Sequence, residues 1–178
     1  MLKKAVNAKF NHSPTKSSPL TTDNRVAVGH YTQNAHEVTL WQEGGLKTLL
    51  HEAVHAAAIT EMYNHIVKSA KRVGDKYIKD SRGRLIWEHK VKNNSPIGKQ
   101  LFAIFNAAKE AAAKENREYY GLTNIDEFIA ETFSDPVFQL FLTGQPSVSN
   151  KPGSNLLQDF LNAVREMVRH TSKSKNYV

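Results

Sequence analysis

Two histidines separated by three residues, with a glutamate directly after the first, carry the clearest chemical signal in this sequence. The letters H-E-A-V-H occupy residues 51–55. Residues four apart in a helix lie on the same face, about 6 Å along its axis. His51 and His55 can therefore bind one zinc ion, and Glu52 can reach a water on that ion. The pattern predicts a zinc site in which Glu52 is the general base for attack of water on a carbonyl group.

The alternative is a chance match, which is expected roughly 0.02 times in a sequence with these His and Glu frequencies. The motif falls, however, within residues 46–57, where apolar residues repeat at helical spacing. A helix carrying the motif favours the metal interpretation.

A catalytic zinc needs a third protein ligand, and the source of that ligand separates the classes of peptidase. One class has Gly and His downstream of the second motif histidine; those positions are Ala58 and Glu61 here, so that pattern is absent. The other common class takes a glutamate from a second helix. Glu127 and Glu131 lie four residues apart in a predicted helix over residues 125–133. Two carboxylates at this spacing repel each other unless a cation or hydrogen-bond donors lie between them.

A purely structural alternative exists for the same segment. Asn124 and Glu127 could form a capping box at the start of the helix, with Glu131 facing solvent. Because the helix is otherwise apolar and must be buried, the metal interpretation is favoured.

Two adjacent segments resemble a known family. Residues 120–133 read Y-G-L-T-N-I-D-E-F-I-A-E-T-F and residues 134–139 read S-D-P-V-F-Q. The first closely resembles the second-helix signature of anthrax lethal factor-type zinc peptidases, which are gluzincins. Both together resemble the peptidase modules of phage and mobile-element polyvalent proteins. Residues 60–118, between the motifs, depart from the lethal factor pattern.

The resemblance implies a zinc metalloendopeptidase, a hydrolase acting on a protein or peptide, encoded by a phage or mobile element. Its site residues would be the zinc ligands His51, His55 and Glu127, the general base Glu52, the oxyanion or leaving-group donor Tyr120, and Glu131 as the acceptor that orients a ligating histidine. A ligating imidazole commonly donates its second N–H to a carboxylate, and a neutral phenol can donate to an oxyanion. Tyr119 could take the place of Tyr120, or either ring could pack in the core.

The helices and strands that must position these residues can be predicted from the sequence pattern. Together they indicate an α+β fold, mostly helical, with a small antiparallel sheet. The resemblance adds the expectation of a zincin-like core in which the two active-site helices cross. Strands are predicted at residues 26–28 and 37–41, and the second could be an edge strand that aligns an extended substrate. Helices are predicted at residues 46–59, with a possible continuation to 73, and at 96–116, 125–133, 136–141 and 156–168.

The length of 178 residues predicts one domain, over residues 26–170, between a flexible arm at 1–25 and a basic tail at 171–178.

A hairpin insert is predicted at residues 74–96. Residues 68–92 hold nine Lys and Arg against three Asp and Glu, so +6 of the net charge of +7 lies there. This patch could bind nucleic acid or an acidic partner, with Trp87 as a stacking ring, although a merely solvated projection is favoured. The patch comprises Lys71, Arg72, Lys76, Lys79, Arg82 and Arg84.

Composition limits the remaining possibilities. There is no cysteine, so a thiolate zinc site and a disulfide framework are excluded. No run approaches the roughly 20 apolar residues of a membrane span, and the basic amino terminus lacks the apolar stretch of a signal peptide; a cytoplasmic protein is predicted.

The second candidate function is a nucleic-acid-associated accessory protein whose zinc site is structural or inactive. A structural site would need a fourth protein ligand and would have no use for Glu52 or Tyr120.

Overall fold

The computed structural model describes residues 8–13, 28–32, 35–41 and 45–174. It confirms an α+β fold: the described residues form five α-helices and three small sheets. None of the helices in these ranges is long and apolar enough to cross a membrane.

The first sheet contains β1 (Lys9–Ser13), β2 (Gly29–Thr32) and β3 (Glu37–Trp41). β3 lies in the centre, with β2 antiparallel on one side and β1 parallel on the other. The prediction that residues 37–41 form an edge strand is therefore wrong, because both edges of β3 are already hydrogen-bonded to neighbours.

β1 lies within the predicted flexible arm, where no strand was expected. Its sequence K-F-N-H-S has one apolar residue and a weak strand signal, so pairing with β3 rather than local preference determines its conformation. The remainder of residues 1–25, apart from Ala8, is outside the described residues, as are positions 26 and 27 of the predicted first strand.

The first helix, α1 (Leu46–Met62), packs against β2 and β3 and carries the H-E-x-x-H motif. The possible continuation to residue 73 is wrong. The last turn of α1 closes through a hydrogen bond from the His65 amide to the Met62 carbonyl (2.8 Å), and the chain then enters β4 (Ile66–Ala70). The β-branched pair Ile66 and Val67 favours a strand at this point.

A long β-hairpin follows, which we call the β-arm (residues 66–92). β4 pairs antiparallel with β7 (Trp87–Val91) at its base. Farther out, β5 (Arg72–Val73) and β6 (Lys76–Tyr77) form a tight hairpin, and a second turn surrounds Asp80. The predicted insert at 74–96 captures this second turn but misses β4, because the partner of β7 lies well upstream in sequence.

Four further helices complete the fold: α2 (Pro96–Lys114), α3 (Ile125–Ser134), α4 (Pro136–Thr143) and α5 (Leu156–Ser174). A 3₁₀ turn at Tyr120–Leu122 precedes α3. α5 extends six residues beyond the predicted end at 168 and so enters the predicted tail, whose positions 175–178 are outside the described residues.

The core forms around Phe128 on α3, which is fully buried. Its ring meets Phe105, Phe138 and Phe160 edge-to-face, at centroid distances of 5.5, 5.8 and 5.7 Å. These rings come from α2, α4 and α5, so three helices hold one face of α3. The face that carries Glu127 and Glu131 then lies against α1.

Candidate metal centre

The site lies between α1 and α3, the pair of helices with the most extensive contact in the fold. His51 and His55 lie one turn apart on α1, and Glu127 lies in the first turn of α3. The side chain of Asn124 begins α3 by accepting hydrogen bonds from the amides of Asp126 (2.9 Å) and Glu127 (3.1 Å). The Asn124 half of the predicted capping box therefore exists, whereas the Glu127 carboxylate lies against the two histidines.

Three side-chain atoms converge at this point. His51 Nε2 lies 3.0 Å from His55 Nε2 and 3.0 Å from Glu127 Oε2, and the third separation, His55 Nε2 to Glu127 Oε2, is 3.5 Å. Ligand atoms about 2.0–2.1 Å from a tetrahedral zinc ion lie roughly 3.3–3.4 Å apart. The two imidazole nitrogens and the carboxylate oxygen are therefore close enough together to hold one metal ion.

The charges in this cluster are strongly coupled. Burial alone would lower the pKa of His51, but hydrogen bonds to Glu127 and Glu131 outweigh it and raise the pKa to about 9. Burial alone would raise the pKa of Glu127, but hydrogen bonds from His51 and His55 lower it to about 2. The carboxylate is thus held ionised and the site favours a positive charge, which is the electrostatic environment that a divalent cation requires.

Glu131 lies on the other side of His51. Its Oε1 is 3.1 Å from His51 Nδ1, the contact that an orienting carboxylate must make. The alternative in which Glu131 faces solvent is wrong, since the residue is only 8% exposed. Ser134 Oγ also lies 3.4 Å from His51 Nδ1.

Lys47, on the first turn of α1, joins this group from the solvent side. Its ammonium lies 3.8 Å from Glu131 Oε2 and forms an ion pair with Asp135. Sequence reasoning missed Lys47 and the contact of Ser134. Nothing in their spacing signals these contacts, because they depend on how α1 and α3 pack.

Glu52 is buried beside the two histidines. Burial raises its pKa, and Glu127 adds to this effect, while His55 and His51 oppose it. Gly29 on β2 brings the sheet close to this side chain: a Cβ built at Gly29 would lie 2.4 Å from Thr48 Cγ2 and 3.2 Å from Glu52 Cγ. β2 therefore packs directly on the part of α1 that bears Glu52.

The two tyrosines before α3 have different surroundings. Tyr119 stacks on Phe141 with a centroid distance of 4.4 Å and is a core ring. Tyr120 is 54% exposed, and its ring centroid lies 6.1 Å from that of His51. Partial burial and the neighbouring Glu127 carboxylate raise the pKa of the Tyr120 hydroxyl, so it remains a neutral donor. Only Tyr120 of this pair lies next to the candidate site.

Asp126, beside Glu127, is a further residue that sequence reasoning missed. Its Oδ2 accepts hydrogen bonds from His89 Nε2 (3.1 Å), Lys68 Nζ (3.3 Å) and the Tyr63 hydroxyl (3.3 Å). Burial alone would raise the pKa of Asp126, but His89 and Lys68 lower it. Because Lys68 and His89 belong to β4 and β7, this carboxylate ties the base of the β-arm to the first turn of α3.

The predicted basic patch does not join the centre. Its six residues are all exposed, and all lie in the outer part of the β-arm. The site and the patch are thus built from different elements.

Comparisons with known proteins leave the family unassigned. No protein-family model matches the chain. Neither the curated proteins nor the solved structures contain a match.

Proposed function

We propose that this protein is a zinc-dependent endopeptidase. The observation that carries the proposal is the convergence of His51 Nε2, His55 Nε2 and Glu127 Oε2 at separations of 3.0 to 3.5 Å. The resemblance of residues 51–55 and 120–139 to lethal factor-type and phage polyvalent-protein peptidases supports the same class.

His51, His55 and Glu127 would hold the ion. When bound, zinc supplies Lewis-acid activation of water and of the scissile carbonyl. Glu131 would keep His51 in the tautomer that leaves Nε2 free to bind the metal, because its carboxylate accepts a hydrogen bond from Nδ1–H.

Glu52 would take the proton from the attacking water and return it to the departing amine. A buried carboxylate whose pKa is raised is suited to both steps, since its pKa lies closer to neutral pH than that of an exposed carboxylate. Tyr120 would donate its phenolic proton in a hydrogen bond to the developing oxyanion.

An extended substrate would align along β2 rather than β3. Among the described strands, β2 has a neighbour on one side only. The Trp41 amide donates to the Val28 carbonyl (3.2 Å), and in an antiparallel pair this alternation directs the backbone groups of Gly29 and Tyr31 away from β3. Those groups would pair with a peptide close to Glu52. N-methylation of the substrate amide that pairs with β2 should then lower kcat/KM, and unchanged cleavage would exclude this alignment.

The second candidate function, an accessory protein with a structural zinc site, is less well supported. A structural site would use four protein ligands, whereas the described residues bring three together. A buried Glu52 and a neighbouring Tyr120 would also have no role in it.

Metal analysis and a cleavage assay together test the proposal. We expect one equivalent of zinc in the wild type and in Glu52→Gln, and clearly less in His51→Ala and Glu127→Gln. In a screen of mixed peptides, Glu52→Gln should lower kcat about 10²- to 10⁴-fold, and Tyr120→Phe about 10²- to 10³-fold. A wild type that stays metal-free when zinc is added would exclude the proposal, as would an unchanged kcat in Glu52→Gln.

A further inference from the structure

The β-arm carries an exposed tryptophan between two concave surfaces. Trp87, at the start of β7, is 56% exposed and lines two cavities, of about 580 and about 520 Å³. Because burial of an aromatic ring is strongly favourable, a ring left open between two hollows indicates a surface that takes a partner.

Each cavity combines a second aromatic ring with two cations. The first is lined by Tyr63, Lys68 and Lys92. The second is lined by Tyr77, Arg72 and Lys90. The combination of an aromatic ring with two cations therefore occurs in both cavities that Trp87 lines.

The surface of the β-arm remains positively charged although some of its cations are paired. Arg72 lies over the Tyr77 ring, 4.0 Å from its centroid. Lys90 is paired with Glu88 (2.6 Å), and Lys68 with the buried Asp126 (3.3 Å). The residues from 66 to 92 still carry a net charge of +6, which attracts an anionic partner.

We propose that the β-arm binds single-stranded nucleic acid, with bases stacked on Trp87 and Tyr77 and phosphates held by the surrounding cations. Bases on aromatic platforms inside a basic groove are the general mode of single-strand recognition without sequence preference. An acidic protein would need the cations but not the open rings. A duplex would satisfy the phosphates but has no unstacked base for Trp87.

This binding is independent of the proposed peptidase activity, because none of the residues that line the two cavities belongs to the metal centre. Either the nucleic-acid binding or the peptidase activity can therefore be disproved while the other stands. Every measurement is made with zinc bound and again after treatment with a chelator, and the affinity for nucleic acid should be the same in both.

The experiment measures fluorescence anisotropy of a labelled oligothymidylate of about 16 nucleotides on titration with the full chain. The two tryptophans of the sequence are Trp41 and Trp87, so Trp41→Phe leaves Trp87 as a direct reporter. We expect its emission to be quenched on binding. Trp87→Ala should weaken binding about tenfold, while Trp87→Phe, which keeps a stacking ring, should retain most of the affinity.

Charge is tested with matched pairs. Arg72→Gln with Lys92→Gln should weaken binding and reduce the slope of log K against log salt by about 0.7 for each lost phosphate contact. Lys151→Gln with Arg165→Gln removes the same charge from exposed positions outside the β-arm, and should have little effect. Circular dichroism verifies that each variant is folded.

Three outcomes would overturn the proposal. The first is equal loss of affinity in the two charge pairs, which would indicate a general charge effect. The second is unchanged Trp87 emission at saturation. The third is a duplex of the same length, or polyglutamate, that binds more tightly than the single strand.

Discussion

The imidazole of His51 has a carboxylate at each ring nitrogen. Glu127 Oε2 lies 3.0 Å from Nε2 and Glu131 Oε1 lies 3.1 Å from Nδ1. The two glutamates are one helical turn apart on α3, so they reach opposite sides of the same ring. One is placed to share a cation with the imidazole, and the other to fix which nitrogen carries the proton.

At this scale the first prediction concerns Glu131→Gln. The amide keeps the size of the side chain but is a weaker acceptor for His51 Nδ1–H, so zinc affinity should fall about 10- to 100-fold. Competition with a chromogenic chelator measures it. Glu166→Gln, an exposed change on α5, is the control, and equal affinities in the two variants would contradict the role assigned to Glu131.

The second residue-scale prediction concerns Asp159, which is almost fully buried at the start of α5. Its carboxylate accepts hydrogen bonds from Ser147 Oγ (2.7 Å), the Val148 amide (2.8 Å) and Ser149 Oγ (2.9 Å). Asp159→Asn replaces one acceptor oxygen with a donor, so at pH 7 the free energy of unfolding should fall by about 1–3 kcal/mol.

The pH dependence of this loss follows from the pKa of Asp159. Burial alone would raise that pKa, but the hydrogen bonds from Ser147 and Ser149 lower it. The contribution of Asp159 to stability is therefore fully present above the unfolded pKa of about 3.9 and is lost as the pH falls through the lower folded pKa. Urea unfolding should show the difference between wild type and Asp159→Asn narrowing below about pH 4. A difference that grows on acidification would contradict this assignment.

Among the elements, the 3₁₀ turn before α3 is positioned by a close approach of its backbone. A Cβ built at Gly121 would lie 2.9 Å from both Glu131 Cβ and Phe138 Cε1. Both neighbours are held inside the core, so neither can move without repacking. The turn that carries Tyr120 therefore depends on a glycine at its centre.

Gly121→Ala should accordingly destabilise the fold by about 1–3 kcal/mol and reduce the proposed peptidase activity, because the turn must move Tyr120 away from the site. Thermal unfolding and a cleavage assay measure the two effects. Gly45→Ala is the control, since a Cβ there meets nothing within 4 Å. Equal behaviour of the two variants would show that the turn tolerates a side chain.

At the scale of the whole molecule, the candidate metal centre and the basic residues of the β-arm lie in different places. The metal centre is built on α1 and α3 within the helical core, whereas +6 of the net charge of +7 lies on residues 66 to 92. The connection between them is the base of the β-arm, where Lys68 and His89 bond to Asp126.

Shortening the β-arm should weaken the proposed nucleic-acid binding and leave zinc binding at the candidate metal centre unchanged. The Lys71 amide donates to the Ile86 carbonyl (2.7 Å), a hydrogen-bonded pair one residue beyond Ala70 and Trp87 in the β4–β7 register, so an Asn-Gly turn can replace residues 72–85 and close a two-stranded hairpin. We expect zinc content to stay at one equivalent, and oligonucleotide binding to fall because Arg72 and Tyr77 are lost. Loss of zinc from a folded variant would show that the outer arm supports the metal centre.

Local sequence was sufficient for the parts of this protein that depend on short-range geometry. A spacing of four residues places His51 with His55, and Glu127 with Glu131, on one face of a helix. A capping side chain begins each of the helices α2, α3 and α4, and in α2 and α4 a proline follows the cap. These features need no information about the rest of the chain, because each is determined within one or two turns of helix.

Tertiary structure alone decided how these parts meet. The contacts of Lys47 and Ser134 at the centre, and the hydrogen bonds to Asp126 from the β-arm, exist because α1, α3 and the arm pack together at one place. The position of β3 at the middle of its sheet was likewise hidden, since β1 has little strand preference of its own and adopts its conformation by pairing. Such contacts join residues far apart in sequence, and packing and backbone hydrogen bonding across the whole chain determine which of them form.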